Sequence, residues 1–557
     1  MLQWLRHYHR GLLAGDISAG IVVAMMMVPQ GMAYALVAGL PPVVGLYASI
    51  LPPMLYALFG SSMTQSVGPM AIISLMTASA LAPLAAPGSG LYMVMAAQLA
   101  LASGAVLLVC GLFRVGFVAN FFSRPVMSGF SIGAAMVIAA GQFKVLVGGG
   151  QLPLPQLHLP SAALGAASLA LLLLGKQYLA PLLGRLGMAA GGADIAARLV
   201  PMLVVLAATA LTAALDLHRL GVHTVGAIPS GLPGWNLATS PSHWRALLQP
   251  ALLIGFMIFL LGMSAAQTLA LKRQEKLQTN LELVGLGAAN IGSALTGGFP
   301  VTGSLSRSGV NFSAGANTPL ASLVAGALMA VALVAPTGWL ALLPLPTLAA
   351  TIIVAVLGMM ETATLRTAWR YDRADALALL ATAGGVMALG VDVGVVLGVL
   401  LSLGALIWRA SRPHIAVLGR IAGTEHFRNI ERYTAGTLPE VLMLRIDANL
   451  FFGNVEAVNA RIEEELAAHP STRHLVLVMT AVSEIDTSAL FALTDLNAEL
   501  AARGIGLHLA EVKGPVIDRL KASALLGALS GEVFLSAAIA SDRLAHLTKL
   551  TTEKAAP

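Results

Sequence analysis

A polytopic α-helical membrane domain with a small α/β domain at its C-terminal end is the fold class this sequence predicts, and three observations predict it. Of 557 residues, 57% are hydrophobic and only 10% charged, with a mean hydropathy of +0.82; soluble chains carry about 25% charged residues. The charges are unevenly spread. Before about residue 412 they are isolated between apolar runs, and beyond it they return at ordinary density. The order of apolar runs also restarts partway along the chain, as an internal repeat would.

A helix needs about 20 apolar residues to cross a bilayer. Runs punctuated by Gly and Pro centre near residues 29, 52, 74, 102, 132, 170, 206, 260, 287, 311, 327, 352, 382 and 400. That makes about fourteen spans, two of them short. Arg6 and Arg10 precede the first, Arg114 and Arg124 follow the fourth, and Arg185 and Arg198 the sixth. Lys272, Arg273 and Lys276 follow the eighth, Arg366, Arg370 and Arg373 the twelfth, and Arg409 and Arg412 the last. An even count puts all of these on the side of the N-terminus. By the positive-inside rule that side is cytoplasmic, so both termini are expected there, in the cell membrane. Lys144, Arg219, Arg245 and several histidines fall on the other side.

The single cysteine, Cys110, excludes an intrachain disulfide and a cysteine metal cage. No cleavage site follows Arg6 and Arg10, so the run Gly20 to Ala38 reads as the first span. The net charge of +6 says little about partners in a protein that keeps its bases on one side.

The halves echo each other. About 50 residues after a run beginning near Asp16 comes Ser66-Val67-Gly68-Pro69, opening a short apolar segment. About 55 residues after Pro250 comes Thr302-Gly303-Ser304-Leu305-Ser306-Arg307, opening another. Seven spans separate the restarts, an odd number, so the repeats are inverted. Short, Gly/Pro-interrupted segments at matching places mark a transporter's binding site. Two facing helix starts, each with about half a positive charge and unpaired N–H groups, favour an anion.

Past Leu438, Val441 to Ile446, His474 to Thr480 and Gly506 to Val512 read as strands, with Val455 to Ala468 and Ser488 to Arg503 as helices between them. This alternation predicts a small α/β domain. The expected divisions are a cytosolic N-terminal segment 1–12, a transmembrane domain 13–411, a polar linker 412–437, the α/β domain 438–550 and a tail 551–557.

Two stretches, Pro29-Gln30-Gly31-Met32-Ala33-Tyr34-Ala35 and Ala38-Gly39-Leu40-Pro41-Pro42-Val43-Val44-Gly45-Leu46-Tyr47, resemble the signature of the SulP sulfate permease family. So do Ser66-Val67-Gly68-Pro69 and Gly298-Phe299-Pro300-Val301-Thr302-Gly303-Ser304-Leu305-Ser306-Arg307-Ser308, while Asp486-Thr487-Ser488 looks like part of a STAS domain. The resemblance spans nearly the whole chain. It implies seven plus seven inverted repeats in core and gate subdomains, elevator-like alternation, a homodimer, and transport of sulfate, bicarbonate, chloride, oxalate or dicarboxylates. It assigns the anion pocket to Gln30 and Tyr34, to Gly68, Pro69 and Met70, and to Ser304, Leu305, Ser306 and Arg307.

The residue types suit that assignment. Gln30 and Tyr34 are four apart on one helix face and donate hydrogen bonds without charge. Ser304 and Ser306 offer hydroxyls and N–H groups at a helix start. Arg307 is the only basic residue between Lys276 and Arg366. An intramembrane charge points to function, with a guanidinium satisfied by carbonyls as the plainer alternative. For Gln30 and Tyr34 the plainer role is interhelical hydrogen bonding, and for Met70 packing. Ser66 is expected to cap its short helix rather than touch substrate through its side chain. Asp375 and Asp392 suit helix-start or interfacial positions; Glu282 has the weakest plain explanation.

The chain departs from the family pattern at Met63, where Lys or Arg is usual, and at Gln30, acidic in some bacterial relatives. In the eighth helix Leu261 stands where relatives often carry a carboxylate. In family terms that carboxylate accompanies proton or sodium coupling, so exchange or facilitated movement is expected instead.

In the tail, Asp486 suits a helix N-cap. Ser488 occupies the place phosphorylated in related regulatory proteins and is the regulatory candidate, a cap with a docking surface for a cytosolic protein partner being the plainer role. His158, His218, His223 and His243 lack metal-ligand spacing, no P-loop is present, and neither cofactor, metal, enzymatic activity nor nucleic acid is expected. Two alternatives to anion transport remain: a nucleobase carrier of the same fold, which would have no use for Arg307, and an anion-binding sensor signalling through Ser488.

Overall fold

The computed structural model describes residues 3–6, 8–117, 123–148, 157–188, 190–229, 231–234, 244–335 and 338–554. The chain divides into two compact units, Met1–Ser402 and Leu403–Pro557. His243 lies outside the described residues, as does the side chain of Asp392.

Helices occupy all fourteen expected places, the last of them ending beyond the first unit's boundary at Ser402. They are α1 (Arg10–Val37), α2 (Pro42–Phe59), α3 (Ala71–Leu81), α4 (Gly90–Leu112), α5 (Arg124–Leu146), α6 (Leu159–Arg185) and α7 (Val200–Ala214). The second half adds α8 (Trp244–Arg273), α9 (Thr279–Leu295), α10 (Leu305–Ser313), α11 (Leu320–Val334), α12 (Leu345–Leu357), α13 (Arg373–Leu389) and α14 (Val391–Ala410). In hydrocarbon every backbone polar group must be satisfied internally, which the helix does within one segment. The two short helices, α3 with 11 residues and α10 with 9, follow extended chain. Such chain is tolerated at membrane depth only where protein or a cavity surrounds it.

The helices pack in two groups, each drawing on both halves of the chain. In one, α9 lies against α4 and α2, and α11 against α1. A Cβ on Gly104 would sit 2.9 Å from the Gly287 oxygen, and one on Gly287 equally close to the Gly104 oxygen. Only glycine permits this contact between α4 and α9. In the other group, α5 packs on α12 and α13, and α6 on α12, where Ser168 and Thr347 share a hydrogen bond of 2.9 Å.

The second unit is a six-stranded sheet of order β4-β3-β5-β6-β7-β8. Its strands are β3 (Ile415–Arg420), β4 (Phe427–Asn429), β5 (Val441–Ile446), β6 (His474–Val478), β7 (Gly506–Ala510) and β8 (Val533–Phe534). β5 to β8 run parallel; β3 is antiparallel to β4 and β5. Side chains alternate between faces. Leu442, Leu444, Leu475, Leu477, Leu507 and Leu509 pack with helices Val455–Ala468 and Thr487–Ala502. Met443, Val476, Val478 and Phe534 pack with Ala540 and Leu544 of the last helix. Here the structure departs from the expected linker: residues 412–437 contribute β3 and β4. The charges around Ile415-Ala416-Val417-Leu418 obscure a short apolar run whose place is an antiparallel partner for β5.

Candidate functional site

The starts of α3 and α10 are tied to each other. Ahead of them, β1 (Val67–Gly68) pairs antiparallel with β2 (Thr302–Gly303), with Val67 opposite Gly303 and Gly68 opposite Thr302. The Ser304 N–H donates to the Ser66 oxygen at 3.2 Å, and the Ser66 N–H donates to Ser308 Oγ at 2.8 Å. Two bilayer-buried segments that lack helical bonds thus satisfy each other.

Side chains of α9 and backbone carbonyls of α8 frame this crossing. Asn290 Nδ2 donates to the Val301 oxygen and its Oδ1 accepts the Val301 N–H, both at 2.9 Å. Ser293 Oγ donates to the Phe299 oxygen at 2.6 Å, and Thr302 Oγ1 to the Ile258 oxygen at 2.7 Å. Gln65 Nε2 donates to the Gly262 oxygen at 3.0 Å, so close to β2 that a Cβ on Gly303 would fall 1.7 Å from it.

Arg307 lies one turn into α10 with its side chain 1% exposed. Its Nη1 donates to the Pro69 oxygen at 2.7 Å and lies 3.4 Å from Gln30 Oε1. Its Nε and Nη2 have no protein partner. Among the described residues, no carboxylate forms an ion pair with it. A Cβ on Gly68 would meet Arg307 Nη2 at 3.3 Å and Met27 Cε at 2.9 Å, so glycine there lets the guanidinium lie against the opposite repeat.

The structure therefore brings Gln30, Gly68, Pro69 and Arg307 into direct contact. Tyr34 is buried one turn along α1 from Gln30, and Met70 is buried at the N-cap position of α3 without a capping side-chain bond. Ser304 caps α10, its Oγ accepting the Arg307 N–H at a long 3.5 Å. Leu305, 43% exposed, and the exposed Ser306 form the open first turn. Ser66 is a correction: it is not the cap of α3, which begins at Ala71. Its backbone bonds across the repeat while its Oγ is buried without a partner.

Three features gain from the structure a place that the sequence did not give them. Thr64 Oγ1 and Asn311 Oδ1 join Ser66 Oγ and the free Arg307 nitrogens as buried, unpartnered atoms around the crossing; Asn311 stands four residues after Arg307, a spacing that could have flagged it. Gln65 is the second. The third is Glu282, fully buried, whose Oε1 accepts from the Ser61 N–H, Ser61 Oγ and the Ser62 N–H at 2.6–3.0 Å. The Tyr56 hydroxyl lies between Glu282 Oε2 and Gln65 Oε1, at 2.6 and 2.7 Å. Glu282 thus anchors the loop that leads into β1, which supplies the explanation the sequence lacked. Leu261 is buried on α8.

In the second unit, Asp486 Oδ1 caps helix Thr487–Ala502 through the Ala489 N–H at 2.8 Å, and its Oδ2 accepts the Phe452 N–H at 2.9 Å. Ser488 is exposed in the first helical turn. His508 accepts the Glu532 N–H through Nδ1 and meets His474 through Nε2 at 3.1 Å. Burial, aided by His474, pushes the His508 imidazole down to about 4. Among the described residues no group of His, Cys, Asp and Glu could hold a metal.

Residues 13–382 match the sequence profile of the sulfate permease family, and residues 433–538 that of the STAS domain. A protein of Mycobacterium tuberculosis (strain CDC 1551 / Oshkosh) described as a probable sulfate transporter is 37% identical over 94% of this chain and 93% of its own. An Arabidopsis thaliana protein described as probable sulfate transporter 4.2 is 34% identical over 95% of this chain and 81% of its own. The solved structure of murine Slc26a9, an anion transporter in the inward-facing state, superposes with a TM-score of 0.84 at 21% identity, covering 96% of this chain and 92% of that one.

Proposed function

The chain belongs to the sulfate permease family, and on that premise we propose that this multi-pass anion transporter binds its substrate at the guanidinium of Arg307, between the starts of α3 and α10. The observation that carries the proposal is a buried cation with two unpartnered nitrogens and no ion-paired carboxylate among the described residues. A charge buried without a partner is costly, and an oxyanion offers the guanidinium matching acceptors. The two helix dipoles and the open first turn at Leu305 and Ser306 support the same place. Gln30, Tyr34, Gly68, Pro69, Met70 and Ser304 complete the pocket.

The substrate is a small inorganic or organic anion of the sulfate, bicarbonate, chloride or dicarboxylate class; relatives named as sulfate transporters make sulfate the first to test. It moves by elevator-type alternating access, the helix group containing α1, α3, α8 and α10 carrying the site past the other. Leu261 in place of a carboxylate favours exchange or facilitated movement over proton or sodium symport. The protein works as a homodimer in the cell membrane, both termini cytoplasmic, with the STAS domain open to a cytosolic partner near Ser488.

Purified protein in liposomes, loaded and diluted to impose proton, sodium or counter-anion gradients, tests this with radiolabelled sulfate, bicarbonate, chloride, oxalate and fumarate. Uptake should follow a counter-anion. Stimulation by a proton gradient alone would overturn the exchange reading. Binding without flux of any anion would leave a sensor rather than a transporter.

A further inference from the structure

Between α12 and α13 runs the helix Thr362–Tyr371, whose faces are unlike. It packs on α5 and α13 with Ala368 buried. Its other side carries Arg366 and Arg370, both exposed and one turn apart, with Trp369 53% and Tyr371 92% exposed. Arg373, the first residue of α13, is exposed just beyond.

Among the described residues, none of these three arginines has a hydrogen-bond or ion-pair partner. The neighbouring carboxylates are engaged elsewhere: Asp372 caps the Ala374 N–H at 2.9 Å, Asp372 and Asp375 hold further interactions, and Glu361 accepts from Thr364 Oγ1 at 3.3 Å. A further cation marks the same end of α12, since Lys176 Nζ lies 3.3 Å from where a Cβ on Gly358 would be. The apolar run of α12 ends at Leu357, so this helix begins where hydrocarbon gives way to headgroups. Trp and Tyr are enriched at that level, and amphipathic helices with basic and aromatic residues lie along it.

We propose that Arg366, Arg370 and Arg373, with Trp369, form a binding surface for anionic phospholipids in the leaflet on the side of the arginine-rich loops, a placement that rests on the membrane orientation read above. Guanidinium groups match phosphate oxygens bidentately, and an i,i+4 pair, with Cβ atoms roughly 6 Å apart, can share one headgroup phosphate. The indole beside them sits at the glycerol level.

The test uses the full chain in phosphatidylcholine nanodiscs doped at equal mole fraction with brominated phosphatidylglycerol or brominated phosphatidylcholine. Trp369 fluorescence is isolated as the difference between wild type and Trp369→Phe. Quenching by the brominated anionic lipid should be about twofold or more stronger. The difference should vanish in the Arg366→Gln/Arg370→Gln/Arg373→Gln variant and persist when the same three become Lys. Equal quenching by the two lipids in wild type, or a preference that survives the glutamine variant, would overturn the proposal. Loss of the preference in millimolar inorganic phosphate would also overturn it, by identifying a free-phosphate site. None of these readouts requires transport, so they stand apart from the transport reading.

Discussion

The two helix starts that meet at the site are built by different means. At α10 the side chains do the work: Ser304 caps the helix and Arg307 carries a full charge one turn in. At α3 the backbone does it: Met70 holds the N-cap position without a side-chain bond, Pro69 offers its carbonyl to Arg307, and Ser66 bonds across the repeat through its main chain. The repeat therefore preserves geometry while the chemistry is one-sided. Both dipoles favour an anion, but one charge is enough, and a second beside it would raise the cost of burial.

That contrast can be broken experimentally, beginning at the charged end. Arg307→Gln removes a charge-assisted contact of about 1.5–3 kcal/mol, so the KM for a divalent anion in proteoliposomes should rise roughly 10- to 100-fold, and that for a monovalent anion less. Equal loss for both would reduce Arg307 to a structural brace.

Next in size is the crossing itself. Gly303→Ala drives a methyl into Gln65 Nε2 and should lower thermal stability by about 1–3 kcal/mol, as overpacking does. Adding Gln65→Ala should restore part of the loss; no restoration would mean the clash lies elsewhere.

Ser304→Ala should cost about 1 kcal/mol through the lost cap, seen as a lower melting temperature with KM moved only a fewfold. Ser66→Ala should do least, within ~0.5 kcal/mol, because its hydroxyl has no protein partner. If Ser66→Ala instead raised KM as much as Arg307→Gln, the backbone end would hold substrate through a side chain, and the asymmetry would be wrong.

Much of this was legible from residue types. Arg307, the only base between Lys276 and Arg366, and the Gly68-Pro69 and Thr302-Gly303-Ser304 turns marked the candidate site, because lipid penalises charge and broken helix alike. Ser66 misled: a serine ahead of an apolar run reads as a cap, whereas the pairing of β1 with β2 holds four more residues, 67–70, out of the helix. Glu282 was unreadable for a related reason, since its donors at Ser61, Ser62 and Tyr56 come from over two hundred residues away. Residues 412–437 looked like a linker because a strand without helical or long apolar periodicity becomes visible only beside its partner.

The sequence by itself determined the number and order of spans, the restart that makes two repeats and the isolation of Arg307 between Lys276 and Arg366, since these follow from local hydropathy and from the cost of exposing backbone or charge to lipid. Only the tertiary structure decided that Arg307 of one repeat rests on Gly68 and Pro69 of the other, and that Gln65 fills the space glycine leaves at 303. Those contacts join segments far apart in the chain, where close packing rather than composition selects which atoms meet.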